Sequence, residues 1–236
     1  MRNMRSFAAL RMTAPTTMTR RFDRFVSDLG DVEVSARATN QFSHSVGDLQ
    51  SNAIRRRNLR LYLSEMEAIN PRMLLIGEAV SYRGGRLTGI AFVSESVMLG
   101  GVDTASGRIL GADRGYRKAT AGPKLSTEAS ATMVWGTIRD VHPLPLLWNA
   151  FPFHPFGADS EDSNRAPTAA ELLIGERFIE RLMSFFAFEQ IVAIGNSASL
   201  SLQRMNIEHT KVRHPSQGGK NLFVEGMARL SQAPRS

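Results

Sequence analysis

The chain has 236 residues, of which 42% are hydrophobic and 22% charged, and it contains no cysteine. This composition excludes disulfides, thiol catalysis, thiolate zinc sites and cysteine-ligated iron–sulfur clusters, and no apolar stretch approaches the roughly 20 residues of a membrane helix. The 29 Lys and Arg against 22 Asp and Glu give a net charge of +7, which favours a polyanionic partner such as nucleic acid.

The N-terminal seventeen residues are basic and rich in Ser and Thr, with no acidic residue. This is the composition of a transit peptide, although the apolar run is too short for a secretory signal. We expect residues 1–17 to be disordered or an over-long extension, and residues 18–236 to form a single domain. The first helix of that domain is predicted to start at residue 18 and to end at Gly30, because its apolar residues share one face.

Beyond Gly30, helical and strand patterns alternate along the chain. Apolar spacing and a capping box at Thr168 and Glu171 indicate helices, predicted over residues 49–69, 168–188, 197–205 and 220–231. Short apolar runs predict buried strands over residues 72–76, 145–150, 190–195 and 209–213. This alternation predicts an α/β fold, a three-layer α/β/α sandwich around a four-stranded, mostly parallel sheet.

Three of the predicted strands end in residues that could carry chemistry, and sites in such sheets lie beyond the carboxyl ends of the strands. We call the segment that follows each of these strand ends an exit. The first exit, residues 77–95, is rich in glycine but lacks the spacing of a dinucleotide or Walker motif. It is either a ligand loop or a glycine-rich turn before Phe92 in the core. The second ends in Asn149, whose carboxamide can donate and accept but which could also form a turn or a cap.

The third exit carries His214, followed by Pro-Ser and two glycines. This sequence can place an imidazole over a ligand and turn backbone N–H groups towards a phosphate. Taken alone, His214 could equally be a structural histidine. The convergence of three such exits at one edge of a sheet is more informative than any one of them.

Together these motifs resemble the uracil-DNA glycosylase superfamily. The resemblance spans roughly residues 71–230 and rests on GEAV…RGGRLTGIAF…SE, the strand ending in Asn149 and the His214-Pro-Ser loop. Residues 164–171 also look like the NR-x-P-x-x-x-E segment of the branches that hold an iron–sulfur cluster. Since this chain has no cysteine, no cluster can be inherited, and we expect no metal and no cofactor.

The first motif departs from the best-known branch, which has Gly-Gln-Asp-Pro-Tyr. Aligning the leading glycines puts Ala79 at the Asp position and Ser81 at the Tyr position. The usual water-activating carboxylate is therefore missing, and a small residue replaces the ring that excludes a 5-methyl group. We expect tolerance for 5-substituted or other deaminated bases. The chain also lacks the motif of the branch that bonds covalently to the sugar.

The resemblance implies hydrolysis of the N-glycosidic bond of uracil in DNA, by base flipping and a water nucleophile, to leave an abasic site. The implied catalytic groups are Asn149, which would read the uracil edge, His214, which would donate to O2, and Glu78, which would either activate water or brace its loop. The implied base-binding residues are Gly77, Ala79, Ser81, Phe92 and Asn149.

The remaining implied contacts are to DNA, with residues Arg83, Arg86, Ser216, Gln217, Gly218, Gly219 and Lys220. A solvated-face role is also open for each arginine. The expected partner is DNA that contains uracil or abasic sites, bound by a monomer in the cytoplasm near the nucleoid, with no membrane.

Two other readings remain open. Because of Ala79, the protein could bind uracil or abasic sites in DNA with slow or no turnover. It could also be an enzyme of small nucleotides or nucleosides on a doubly wound sheet, although the basic surface favours DNA.

Overall fold

The structure, a computed structural model, describes residues 17–232. Within this range the α-helices are α1 (Thr17–Gly30), α2 (Leu49–Ile69), α3 (Gly85–Thr88), α4 (Glu95–Gly100), α5 (Ala129–Ile138), α6 (Ala169–Phe185), α7 (Asn196–Arg204) and α8 (Lys220–Gln232). The strands are β1 (Ala38–Thr39), β2 (Met73–Ala79), β3 (Val102–Thr104), β4 (Gly107–Ile109), β5 (Leu146–Phe151), β6 (His154–Pro155), β7 (Gln190–Ile194) and β8 (Thr210–Val212).

A four-stranded sheet of order β5-β2-β7-β8 forms the centre of the fold, and every pairing in it is parallel. The strands are apolar runs because helices cover both faces, and all six residues of β5 are buried. The α/β fold predicted from the alternation of helices and strands is confirmed. The register places Gly77 opposite Asn149, so two of the implied site residues are neighbours across the sheet.

Several predicted boundaries differ from the observed ones, most of them by one residue, and three of the differences affect the description of the fold. Strand β2 continues past residue 76, because Gly77 and Ala79 pair with β5, so Glu78 belongs to a strand and not to a loop. Helix α6 ends at Phe185 and not at residue 188, since Phe186 adopts an extended backbone and stacks its ring on Phe22 at 6.0 Å. Helix α1 includes Thr17, which corrects the boundary of the predicted extension; residues 1–16 lie outside the described range.

Several elements were not predicted from the sequence. They include the short helix α3 inside the glycine-rich first exit, helix α4, which starts at Glu95 at its end, the β3–β4 hairpin, helix α5 and the two-residue strands β1 and β6. Among residues 17–232, no helix is long and apolar enough to cross a membrane. The same residues contain no group of three or more His, Asp or Glu side chains placed to hold a metal ion.

Candidate active site

A cavity of about 520 Å³ opens at the carboxyl ends of the four parallel strands. Residues from the carboxyl-terminal half of every strand, or from the loop after it, line this cavity: Ala79 at the end of β2, Asn149 of β5, Gly195 after β7 and His214 after β8. The edge that parallel strands share thus brings together the three exits that the sequence singles out.

Phe92 and Asn149 line the inner end of the cavity and pack against Gly77 of β2, which does not itself line it. A Cβ atom added at Gly77 would lie 2.3 Å from Cζ of Phe92 and 2.6 Å from Oδ1 of Asn149. Only glycine therefore allows the ring and the carboxamide to approach the strand this closely. Gly77 shapes the pocket through the absence of a side chain.

Phe92 has a backbone conformation that is rare for an aromatic residue. Its φ is 55°, in the left-handed region, where a bulky side chain is strained. The indole Nε1–H of Trp135 in α5 donates to the Phe92 carbonyl at 3.0 Å and holds this geometry. Trp135 is buried in the core, and its role in fixing Phe92 could not be read from the sequence.

Asn149 carries the unpaired polar atom of the inner end. The residue is 3% exposed, and among the described residues its Oδ1 atom has no hydrogen-bond partner. An unpaired buried amide oxygen is costly unless a ligand satisfies it. Asn149 is therefore the strongest single indication that the cavity binds a polar, planar group.

His214 lies on the opposite side, with its ring centroid 6.3 Å from that of Phe92. The backbone N–H of Ser216 donates to its Nδ1 at 3.2 Å, and the Ser216 hydroxyl lies 2.7 Å from the same nitrogen. Since Nδ1 accepts a hydrogen bond, the neutral ring carries its proton on Nε2. Burial lowers the pKa of His214, and the charge of Arg213 lowers it further, so the neutral donor form is favoured.

Glu78 also lines the cavity, and its carboxylate accepts a hydrogen bond from the hydroxyl of Ser197 at the start of α7. This contact joins residues 119 positions apart in the sequence. It fixes the carboxylate beside the loop that follows β7. Since Glu78 lies in β2, its carboxylate braces the start of α7 and not a loop of its own, and water activation remains compatible with this position.

The wall formed by residues 164–166 is held by an ion-pair network. Arg165 contacts the two carboxylate oxygens of Glu171 at 2.6 and 2.7 Å, and Ser35 also donates to that carboxylate. Burial raises the pKa of Glu171, but the hydrogen bonds and the Arg165 charge outweigh it and lower the pKa to about 2. Asn164 completes the wall by accepting the N–H of Tyr82 at 3.1 Å.

Two small residues, Ala79 and Ser81, line the floor of the cavity. Glu128, which precedes α5, lies beside Ser81 and also lines the cavity. The sequence analysis did not identify it as a site residue. Only the neighbouring Thr-Glu-Ala-Ser pattern could have drawn attention to it, and that pattern is common at helix starts.

The residues implied to contact DNA differ in their positions relative to the opening of the cavity. Ser216 and Gln217 line the cavity, and Arg83 and Lys220 are exposed near it. By contrast, the Gly219 N–H already donates to the Ser216 carbonyl.

Arg86 is engaged within the protein, since its guanidinium lies 2.8 Å from Asp162 and also donates to the Glu161 carbonyl. A contact from Arg86 to phosphate would require this pair to open.

No protein-family model matches this chain, and no curated protein matches it in sequence. In structure it is similar to wild-type SMUG2 of Pedobacter heparinus, with a TM-score of 0.57 over 89% of this chain and 96% of that one. The two sequences are 15% identical, so the similarity concerns the fold. The chain therefore shares the overall fold of SMUG2, and its cavity lies at the carboxyl edge of that fold's parallel sheet.

Proposed function

We propose that the protein is a monofunctional DNA glycosylase that hydrolyses the N-glycosidic bond of uracil in DNA and leaves an abasic site. The observation that carries the proposal is the unpaired Asn149 Oδ1, placed beside Phe92 and across from a neutral His214 in one cavity. The motif resemblance and the fold shared with SMUG2 support it, as does the net charge of +7.

Uracil must leave the duplex to reach the cavity, at a cost of a few kcal/mol that is smallest at a mismatch. The ring of Phe92 then stacks on the base, and such stacking contributes about 1–3 kcal/mol. The carboxamide of Asn149 accepts from N3–H of uracil and donates to O4. Cytosine presents the opposite pattern, so its polar groups would stay unpaired, and the cavity discriminates against it.

As the bond breaks, negative charge gathers on O2 of the leaving uracil. The Nε2–H of neutral His214 donates to that oxygen, and a donor aimed at developing charge is worth about 3–4 kcal/mol. Glu78 is placed to orient the attacking water. Glycosidic cleavage is largely dissociative, so a weakly basic carboxylate in place of the missing Asp suffices. The groups required for each step come from one copy of the chain, consistent with a monomer.

Substrate range follows from the small side chain of Ser81. We expect uracil to be excised, together with larger deaminated or 5-substituted bases such as xanthine, hypoxanthine or 5-hydroxymethyluracil. Rejection of every base larger than uracil would contradict an open pocket at Ser81.

The proposal is tested by single-turnover excision on an oligonucleotide with one uracil, with heat or alkali used to cut abasic sites. Wild type should cut it, His214→Ala should be slower by about 100-fold or more, and Glu78→Gln should show whether that carboxylate contributes. The matched controls are the same oligonucleotide with cytosine and free deoxyuridine. Cleavage of deoxyuridine alone would support a nucleoside enzyme instead.

A second candidate is a protein that binds uracil or abasic sites in DNA without turning them over. Ala79 at the position of the usual catalytic Asp favours it, as does the engagement of Glu78 by Ser197. Tight binding of the uracil-containing oligonucleotide without cleavage would establish this reading and contradict the enzyme.

A further inference from the structure

Glu128 is a buried carboxyl group in the cavity wall to which the proposed reaction assigns no role. Among the described residues, its Oε2 atom is buried without a hydrogen-bond partner. The oxygen is packed against the backbone of Gly84, where an added Cβ would lie 1.9 Å from it. A carboxyl oxygen buried in this way is costly, and a native protein keeps such a group where it serves a purpose.

The surroundings of Glu128 favour its uncharged form. Burial raises its pKa, against a smaller opposite effect of hydrogen bonding from the hydroxyls of Ser81 and Ser130. A neutral carboxylic acid can both donate and accept hydrogen bonds. Glu128, Ser81 and Ser130 thus form a polar wall of the cavity, which we call the Glu128 wall.

The orientation of uracil in the proposed reaction indicates which atom of the base faces the Glu128 wall. With O2 of uracil at His214 and both N3–H and O4 at Asn149, the next ring atom is C5. The proposed function puts a substituent on C5 at the small side chain of Ser81, and Glu128 lies beside Ser81 in the cavity wall. The polar group beside a C5 substituent is therefore the Glu128 wall.

We propose that Glu128 is a specificity-determining residue, whose carboxyl group excludes a 5-methyl group from a pocket that Ser81 leaves sterically open. This inference rests on the proposed function and deepens it. A methyl group pressed against the Glu128 wall would leave buried polar atoms unpaired, whereas the C5–H of uracil does not reach so far. Thymine is thereby rejected by polarity, where a larger side chain would reject it by size.

The test compares two bases in one sequence context. Single-turnover excision is measured for U·G and T·G mismatches, so that both bases are extruded from opposite guanine. The result is the ratio of the thymine rate to the uracil rate, which does not depend on the active fraction of a preparation. The variants are Glu128→Ala, which removes the polar atoms, and Glu128→Gln, which keeps a neutral polar group of the same size.

The matched control is Glu95→Gln. Glu95 is also buried, and it accepts hydrogen bonds from the Thr120 hydroxyl and the Ser126 backbone, away from the cavity. Its replacement disturbs the same loop without changing the Glu128 wall. Thermal unfolding of each variant reports folding independently of excision.

Glu128→Ala should raise the thymine-to-uracil ratio by about tenfold or more, while Glu128→Gln and Glu95→Gln should stay within about threefold of wild type. An unchanged ratio in Glu128→Ala would overturn the inference and leave the proposed function standing. An equal rise in Glu95→Gln would overturn it too, because the effect would then come from the loop. A wild type that excises no uracil would overturn the proposed function and the inference together.

Discussion

The inner end of the cavity and its rim are built on different principles. At the inner end, Gly77 and Asn149 lie on buried, paired strands, and the polar Oδ1 of Asn149 is left without a partner among the described residues. At the rim, His214 and Ser216 bond to each other within one half-buried loop. The inner end is prepared to receive hydrogen bonds from a ligand, whereas the rim uses its own hydrogen bonds to fix the orientation of one donor.

The ion pair of Arg165 with Glu171 holds a third part of the cavity, the wall at residues 164–166, and removing it should have the largest effect on stability. Arg165→Ala leaves a carboxylate buried without its cation, and we expect a loss of about 3 kcal/mol in the free energy of unfolding. Chemical denaturation of wild type and variant measures it. A loss below about 1 kcal/mol would show that Ser35 and the capping box suffice to stabilise the carboxylate.

This ion pair also predicts how stability depends on pH. The pKa of Glu171 is about 2 in the folded protein, against 4.5 as the ordinary value. Its contribution is therefore present above about pH 4.5 and is lost as the pH falls towards 2. In Arg165→Ala this part of the pH dependence should be weaker, and an identical acid profile in both proteins would contradict the assignment.

Gly77→Ala should displace the side chains at the inner end of the cavity and slow excision. The added Cβ would overlap the Phe92 ring and the Asn149 carboxamide, and a displacement of about 1 Å at such a site costs on the order of 100-fold in rate. Single-turnover excision of uracil measures the effect. Gly136→Ala in α5 is the matched control, since a Cβ added there would meet no atom within 4 Å. Similar losses in both variants would argue against a specific role for Gly77.

Ser216→Ala tests the rim of the cavity and should have a smaller effect on the excision rate. The variant loses the hydroxyl contact to Nδ1 of His214 but keeps the backbone N–H that donates to the same nitrogen. We expect uracil excision to slow by about fivefold, the value of one modest hydrogen bond. A loss as large as that of His214→Ala would mean that the hydroxyl, and not the backbone, sets the tautomer.

The smallest predicted effect is a shift in pH dependence. Because the charge of Arg213 lowers the pKa of His214, Arg213→Gln should raise that pKa. Protonation of Nδ1, which breaks the hydrogen bond that the Ser216 N–H donates to it and so releases the ring, would then occur at higher pH, and the acid limb of the single-turnover rate profile should move to higher pH. A profile that stays in place, or moves to lower pH, would contradict the role assigned to neutral His214.

The comparison of the two regions also shows what the sequence could reveal. Buried apolar runs predict the four strands, and the order of strand ends brings Asn149 and His214 to one edge, so this part was predictable. The contact between Glu78 and Ser197 joins residues far apart in the chain, and local patterns do not record such pairs. Glu128 was missed because the Thr-Glu-Ala-Ser pattern around it is common at helix starts and because α5 begins without a side-chain cap.

Two asparagines in the same cavity allow the most direct test of the account. Asn149 has an unpaired Oδ1 atom, whereas the Oδ1 atom of Asn164 already accepts the Tyr82 N–H. We would measure single-turnover excision of uracil by wild type, Asn149→Ala and Asn164→Ala. The account predicts a loss of about 1,000-fold or more for Asn149→Ala and of less than about tenfold for Asn164→Ala. An Asn149→Ala rate within tenfold of wild type, or equal losses in both, would contradict the claim that the unpaired carboxamide reads the base.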